Sequence, residues 1–316
     1  MLFSTKSRLE RYFRKNPQIK TIVVVGSYGR KSAIRALGMI LGQQFTVTMG
    51  VNKKADADAV ILDYKSSADF PNIEPDIVVV TSCRTDEEAQ RFFALANVAK
   101  YVMVNYNDVP QEFSKYLKNP NIYTYGDELP ADFYFENNDF TLEGYEGDFI
   151  DEERDRLHVK IKILGEHNIR PIIMACAVGK LFKIPKDKLL AGTEAITPVH
   201  GRMSPANGIG GTIVIDDSAY IAANDVKLGC NTMFALESPA KTLILDDVSK
   251  LDGIDTQLLT DICVLGEAPN GNTGDKKIHY FAEEVDLIHY IGERAEEGGL
   301  ILLEIPLPEI IESYIW

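Results

Sequence analysis

The chain has 316 residues, a length that suits two domains of ordinary size and not three. Hydrophobic residues make up 45% and charged residues 25%, which excludes a disordered, collagen-like or coiled-coil chain. With Lys+Arg 33 against Asp+Glu 47 the net charge is -14, so nucleic acid is a poor partner and an anionic ligand needs a local cluster of cations.

No apolar run reaches the ~20 residues that span a bilayer. Met1 to Lys20 is basic without the apolar centre of a secretory signal, so the expected compartment is the cytoplasm. Cys83, Cys176, Cys230 and Cys263 lie far apart without a CxxC pair and read as reduced, buried thiols. In chain order, Leu2 to Asn16 carries Lys6, Arg8, Arg11, Arg14 and Lys15 between Leu9, Tyr12 and Phe13, which predicts an amphipathic helix packed on the domain; binding to a membrane surface or partner is the alternative. Val- and Ile-rich runs at Thr21 to Val25, Ala59 to Leu62, Ile77 to Val80 and Tyr101 to Val104 predict strands buried on both faces of a parallel sheet. Helical spacing over Lys31 to Leu41 and Glu87 to Ala99 supplies crossovers. Pro120 to Glu153 reads as short strands or loops at the sheet's edge, and His158 to Leu164 alternates as a half-exposed strand. Asn168 to Phe182 reads as a buried helix. Lys183 to Pro198, with Pro185 and Gly192, reads as the junction between domains 1–191 and 192–316. A second, smaller α/β pattern follows: strands from Gly211, Thr242, Asp261 and Leu300, helices from Ala222 and Ala282, and a polar loop from Ala268 to Lys277. The expected class is α/β, a P-loop-type, mostly parallel sheet domain followed by a smaller Rossmann-like domain.

Three clusters carry chemistry. Gly26-Ser27-Tyr28-Gly29-Arg30-Lys31-Ser32 sits between a strand and a helix, where glycines turn the backbone tightly, N–H groups face an anion and Arg30 or Lys31 neutralises phosphate. Ser32 offers a hydroxyl to Mg²⁺. The two residues between Gly26 and Gly29 make it shorter than a standard P-loop, and a plain strand-to-helix turn is the competing reading. Gly165-Glu-His-Asn168 precedes the buried helix, where Asn168 also reads as its N-cap and His167 as structural. Gly201-Arg202-Met203 and Asp216-Asp217-Ser218, within Ile213 to Tyr220, lie past the junction, with the paired carboxylates at a strand end suited to a ribose, an amine or a metal, or to capping a helix.

In this order and spacing the GxxG loop, GxHN, GRM and DDS clusters resemble the Mur ligase family, most closely its D-alanyl-D-alanine-adding members, from about Ile19 to the C-terminus. Pro75 to Thr81 and Val104-Asn-Tyr-Asn-Asp108 resemble further family segments. The resemblance implies an ATP-dependent ligase that phosphorylates a carboxylate and lets an amine attack the acyl phosphate, with ATP and Mg²⁺ as cofactors and a role in cell-envelope precursor metabolism. It implies that Gly26, Ser27, Gly29, Arg30 and Lys31 hold phosphates, that Ser32 and Asp63 hold the metal, that Asn168 lies near adenine, that Arg202 reaches the phosphates, and that Asp217 binds the ribose or positions the amine.

Departures from the family pattern support a second expectation, an inactive nucleotide-binding or scaffold relative. Arg30 stands at the loop lysine, Lys31 at a hydroxyl position, Asp63 at a glutamate, Glu87 at a metal-binding histidine, Pro171 at the second asparagine and Glu304-Ile305-Pro306 at a Lys-Gly-Ser run. An arginine does not fill a tight phosphate cradle as lysine does. Lys100 is not assigned to the family's carbamylated lysine. Only about twenty residues precede the first strand, so the family's UDP-sugar-gripping domain is expected to be absent. A protein partner that supplies that domain is a third expectation. The other partners expected are a small-molecule carboxylate and amine.

Overall fold

The computed structural model describes residues 5–50, 57–64, 73–219, 225–268 and 276–315. The chain folds into two compact units, one of Met1–Asp139, Glu146–Ile161 and Asn168–Ile196, the other of Phe140–Tyr145, Lys162–His167 and Thr197–Trp316.

The first unit is built on strands β1 (Lys20–Val25), β2 (Val47–Met49), β3 (Ala59–Asp63), β4 (Ile77–Val80), β5 (Tyr101–Asn105) and β6 (Ile122–Tyr125), in the order β2-β3-β1-β4-β5-β6. Every pairing is parallel. The Val/Ile runs are buried on both faces because helices cover the sheet. One is α1 (Thr5–Lys15), whose Leu9, Tyr12 and Phe13 pack against the core beside β1 while Arg11, Arg14 and Lys15 are exposed. Another is α2 (Arg30–Leu41), which buries Ala33, Ala36, Leu37, Ile40 and Leu41 at helical spacing. The crossover α3 (Asp86–Ala96) starts at Thr85, whose hydroxyl accepts from Glu88 N at 3.2 Å. Because β1 lies between β3 and β4, the chain direction across the sheet reverses at its C-terminal end, the place where ligands sit in such sheets.

Pro120 to Glu153 contributes β6, β7 (Tyr134–Thr141) and β8 (Gly144–Ile150), and β9 (Arg156–Ile161) completes a three-stranded sheet in chain order. The apolar stretch of α4 (Glu166–Leu181) is buried from Ile172 to Gly179. The segment that reads as a junction holds a further helix, α5 (Lys186–Glu194). Pro185 starts that helix rather than breaking one. Gly192 lies inside it, where an added Cβ would come 2.9 Å from Ile40 Cα, so its small size permits a close helix approach.

The second unit has β10 (Ser204–Gly208), β11 (Ile213–Asp216), β12 (Lys241–Leu245), β13 (Asp261–Leu265), β14 (Ile278–Phe281), β15 (Leu300–Leu303) and β16 (Ile311–Tyr314), in the order β14-β13-β12-β15-β11-β10-β16. From β14 to β11 the neighbours run parallel, while β10 is antiparallel to β11 and β16. Helices α6 (Asp225–Ala235) and α7 (Glu284–Arg294) cover it; Tyr220, the expected first turn from Ala222, and most of the Ala268 to Lys277 loop lie outside the described residues. Among the described residues no helix is long and apolar enough to cross a membrane.

Candidate functional site

The Gly26–Ser32 loop leaves β1 at the direction switch. Gly26 has φ +152° and an added Cβ would overlap Thr81 Oγ1, so the loop lies tight against the end of β4. Gly29 is left-handed at φ 78° and caps α2 with its carbonyl, which accepts from Ala33 N at 3.0 Å.

The next residues are tied down on one side. Ser27 N donates to Ser82 O at 3.3 Å and Tyr28 N to Ser82 Oγ at 2.8 Å, so two N–H groups of the loop are already satisfied within the protein. Ser27 Oγ donates to Glu88 Oε2 at 2.7 Å, and the same carboxylate accepts from Arg84 N at 3.0 Å. Burial opposes the charge on Glu88, but the donors from Ser27, Arg84 and Thr85 outweigh it and hold its pKa below the ordinary value. Tyr28 donates to Asp108 Oδ1 at 2.9 Å, and Arg84 lies 4.8 Å over its ring. Burial, then the Asp108 charge, pushes Tyr28 up to about 12.

Arg30 folds back over its own loop. Its Nε donates to Asp63 Oδ1 at 2.8 Å and its Nη1 to the Gly26 carbonyl, with the Arg30 and Asp63 side chains 28% and 26% exposed. The residues expected at phosphate and at metal therefore meet each other. Lys31 is exposed, and Glu87 is exposed in the first turn of α3. Magnesium takes oxygen ligands. Of the two residues expected at the metal, Asp63 is engaged by a guanidinium and Ser32 offers a single half-buried hydroxyl, while residue 31 presents an ammonium. The donor set does not fit a protein-held magnesium ion.

Asp108 links the loop to α4. Its Oδ2 accepts from Arg170 Nη1 at 2.9 Å and Asn105 Nδ2 at 2.8 Å, and Arg170 grips Asp127 through Nε at 2.8 Å and Nη2 at 2.6 Å. Burial works against the Arg170 charge, but Asp127 and Asp108 hold its pKa above the usual arginine value. Asn168 lies two residues before Arg170 in α4. Sequence reasoning missed Arg170, Asp127, Ser82 and Glu88 as parts of this network. An arginine entering an otherwise apolar helix was the one available signal.

In the second unit Asp217, only 6% exposed, accepts from Met203 N at 3.0 Å and so braces the Gly201-Arg202-Met203 turn, where Arg202 N donates to Val199 O at 2.9 Å. Asp216 is 2% exposed and accepts from Ser218 Oγ at 2.6 Å and Tyr314 OH at 2.6 Å. The ring of His200 stacks on Tyr314 with centroids 3.6 Å apart. Glu304 is buried at the end of β15 beside Gly229, where an added Cβ would lie 2.9 Å from its Oε1.

An all-parallel sheet with a glycine loop at its direction switch, followed by a second, mostly parallel sheet, defines a two-unit, doubly wound α/β class. No protein-family model matches the chain. In sequence it is 22% identical over 327 aligned positions to UDP-N-acetylmuramate–L-alanine ligase of Dictyoglomus turgidum, covering 90% of this chain and 70% of that protein. It is 22% identical over 204 positions to UDP-N-acetylmuramoyl-tripeptide–D-alanyl-D-alanine ligase of Bacillus subtilis, covering 57% and 42%. The matched stretches span 22 to 70% of the curated relatives. In structure it superposes on MurF ligase of Thermotoga maritima in complex with ADP with a TM-score of 0.69 at 13% identity, covering 96% of this chain and 81% of that one. In sequence and in fold the chain is thus similar to Mur ligases.

Proposed function

We propose that this chain binds ATP on the Gly26–Ser32 loop and uses it to join a carboxylate to an amine through an acyl phosphate, in cell-wall precursor metabolism. The observation that carries the reading is the loop's place, at the C-terminal end of β1 where the sheet order reverses, with left-handed Gly29 opening α2. Arg30 and Lys31 supply charge to the phosphates, and Asn168 contacts the nucleotide's base. In the second unit Arg202 is the proposed phosphate-binding cation, and Asp217 holds its turn and supplies the ribose or amine contact. Transfer of the γ-phosphoryl group asks mainly for positioning and cations, which these residues provide.

The test is phosphate release from ATP with a panel of small carboxylates and amines. Release that requires both substrates supports the ligase reading. The Arg30–Asp63 ion pair favours a second reading, a nucleotide-binding scaffold without turnover or a subunit that needs a partner. Nucleotide binding by calorimetry without release, or release only with a co-purified second polypeptide, selects those alternatives.

A further inference from the structure

Nucleoside polyphosphates carry several negative charges, and a magnesium ion ordinarily neutralises them while protein oxygens hold it. Around this loop the carboxylates are engaged elsewhere. Asp63 accepts from Arg30, Glu88 from Ser27 and Arg84, and Asp108 from Tyr28, Asn105 and Arg170. Positions 30 and 31, by contrast, place two successive cations in the first turn of α2.

We propose that Arg30 takes the place of the metal, so that the loop binds a metal-free nucleoside di- or triphosphate. The inference rests on the nucleotide-binding reading of the loop, and not on turnover. A guanidinium suits this role because it is always charged and weakly hydrated, and it keeps donors to spare when some of its five N–H groups are engaged. Nε and Nη1 of Arg30 are held by Asp63 and the Gly26 carbonyl, while Nη2 donates to no described residue. Asp63 is then a positioning residue, which fixes the plane of the fork, rather than a metal ligand. Lys31 adds a second, exposed charge in the same helical turn. The donors left to face phosphate are thus Nη2 of Arg30, Lys31 and the opening N–H groups of α2, since the N–H groups of Ser27 and Tyr28 are satisfied by Ser82.

The experiment is calorimetric titration of the full chain with ATP in excess Mg²⁺ and in excess EDTA, with thermal unfolding of each variant as a folding control. Wild type is expected to bind with dissociation constants that agree within about threefold between the two buffers. Arg30→Lys, with its compact ammonium, is expected to lose at least about tenfold in EDTA. Asp63→Asn is expected to weaken binding by the same factor in both buffers, since it loosens Arg30 and removes no metal ligand. Wild-type binding that vanishes in EDTA and persists with Mg²⁺ overturns the inference and leaves the nucleotide reading standing. A loss in Asp63→Asn confined to the Mg²⁺ buffer also overturns it. Absence of binding in both buffers removes the nucleotide reading, and the inference with it.

Discussion

Arg170 donates a hydrogen bond of 2.9 Å to Asp108, the carboxylate that on its other oxygen receives Tyr28 from the glycine loop. One aspartate therefore connects α4 to the loop at the end of β1, and Asp127 holds the far side of the guanidinium. Arg170→Ala leaves two part-buried carboxylates facing each other without their shared cation. The cost lies between that of an exposed pair and that of a buried one, about 2 kcal/mol. Urea unfolding measures it. Arg170→Lys is expected to recover only part, because an ammonium cannot meet both carboxylates with the same fork. A Lys variant as stable as wild type would show that charge alone, and not geometry, holds the bridge.

The two glycines of the loop separate by cause. Gly29→Ala meets only backbone strain at φ 78°, since an added Cβ would sit 3.6 Å from Thr81 Cβ, an ordinary contact. Its expected cost is about 1 kcal/mol. Gly26→Ala adds an overlap with Thr81 Oγ1 at φ +152°, so it is expected to cost more and to push the loop off β4. Pairing Gly26→Ala with Thr81→Ala removes part of the overlap and is expected to restore part of the loss. Thermal unfolding of wild type, both glycine variants and the double variant gives the comparison.

Much of the fold was legible because its central strands are continuous Val/Ile runs, buried on both faces. The short strands β2, β10, β14 and β16 carry no such run, and their pairing depends on neighbours rather than on their own composition. Helix α5 was hidden by Pro185 and Gly192, residues that break helices in isolation but here start one and let it approach Ile40. The loop itself was readable from its glycines. Its bonds were not, since Arg30 and Asp63 are 33 residues apart, Tyr28 and Asp108 80, and Asp108 and Arg170 62. Nothing local in the sequence announces a contact over those separations.

His158 on β9 lies between Glu146 and Asp148, with ring nitrogens 3.0 and 3.1 Å from their oxygens. These hydrogen bonds, Glu146 first, raise its pKa above the ordinary value. A raised histidine stabilises the fold fully below its unfolded value, near 6.5, and that contribution is lost as pH rises through the folded value. Proton NMR titration should therefore place the His158 midpoint above 6.5, and Glu146→Gln should lower it. A midpoint unmoved by Glu146→Gln would show that the pair is not formed in solution.

Tyr314 gives the opposite end of the pH range. Its hydroxyl donates to buried Asp216 at 2.6 Å, and burial, then Asp216, pushes its pKa up to about 12. The neutral phenol is the form that the fold favours. Its contribution is present below the unfolded value, near 10, and is lost as pH rises through about 12. Tyr314→Phe removes the donor and leaves Asp216 with Ser218, at an expected cost of about 1–2 kcal/mol near neutral pH. The wild type should then lose its advantage over the variant as pH climbs from 10 towards 12, since the bond the variant lacks is the one that ionisation breaks. Urea unfolding of both proteins at about pH 8 and about pH 11, either side of the unfolded value, tests this. A stability difference that stays constant would mean that the phenol does not donate to Asp216.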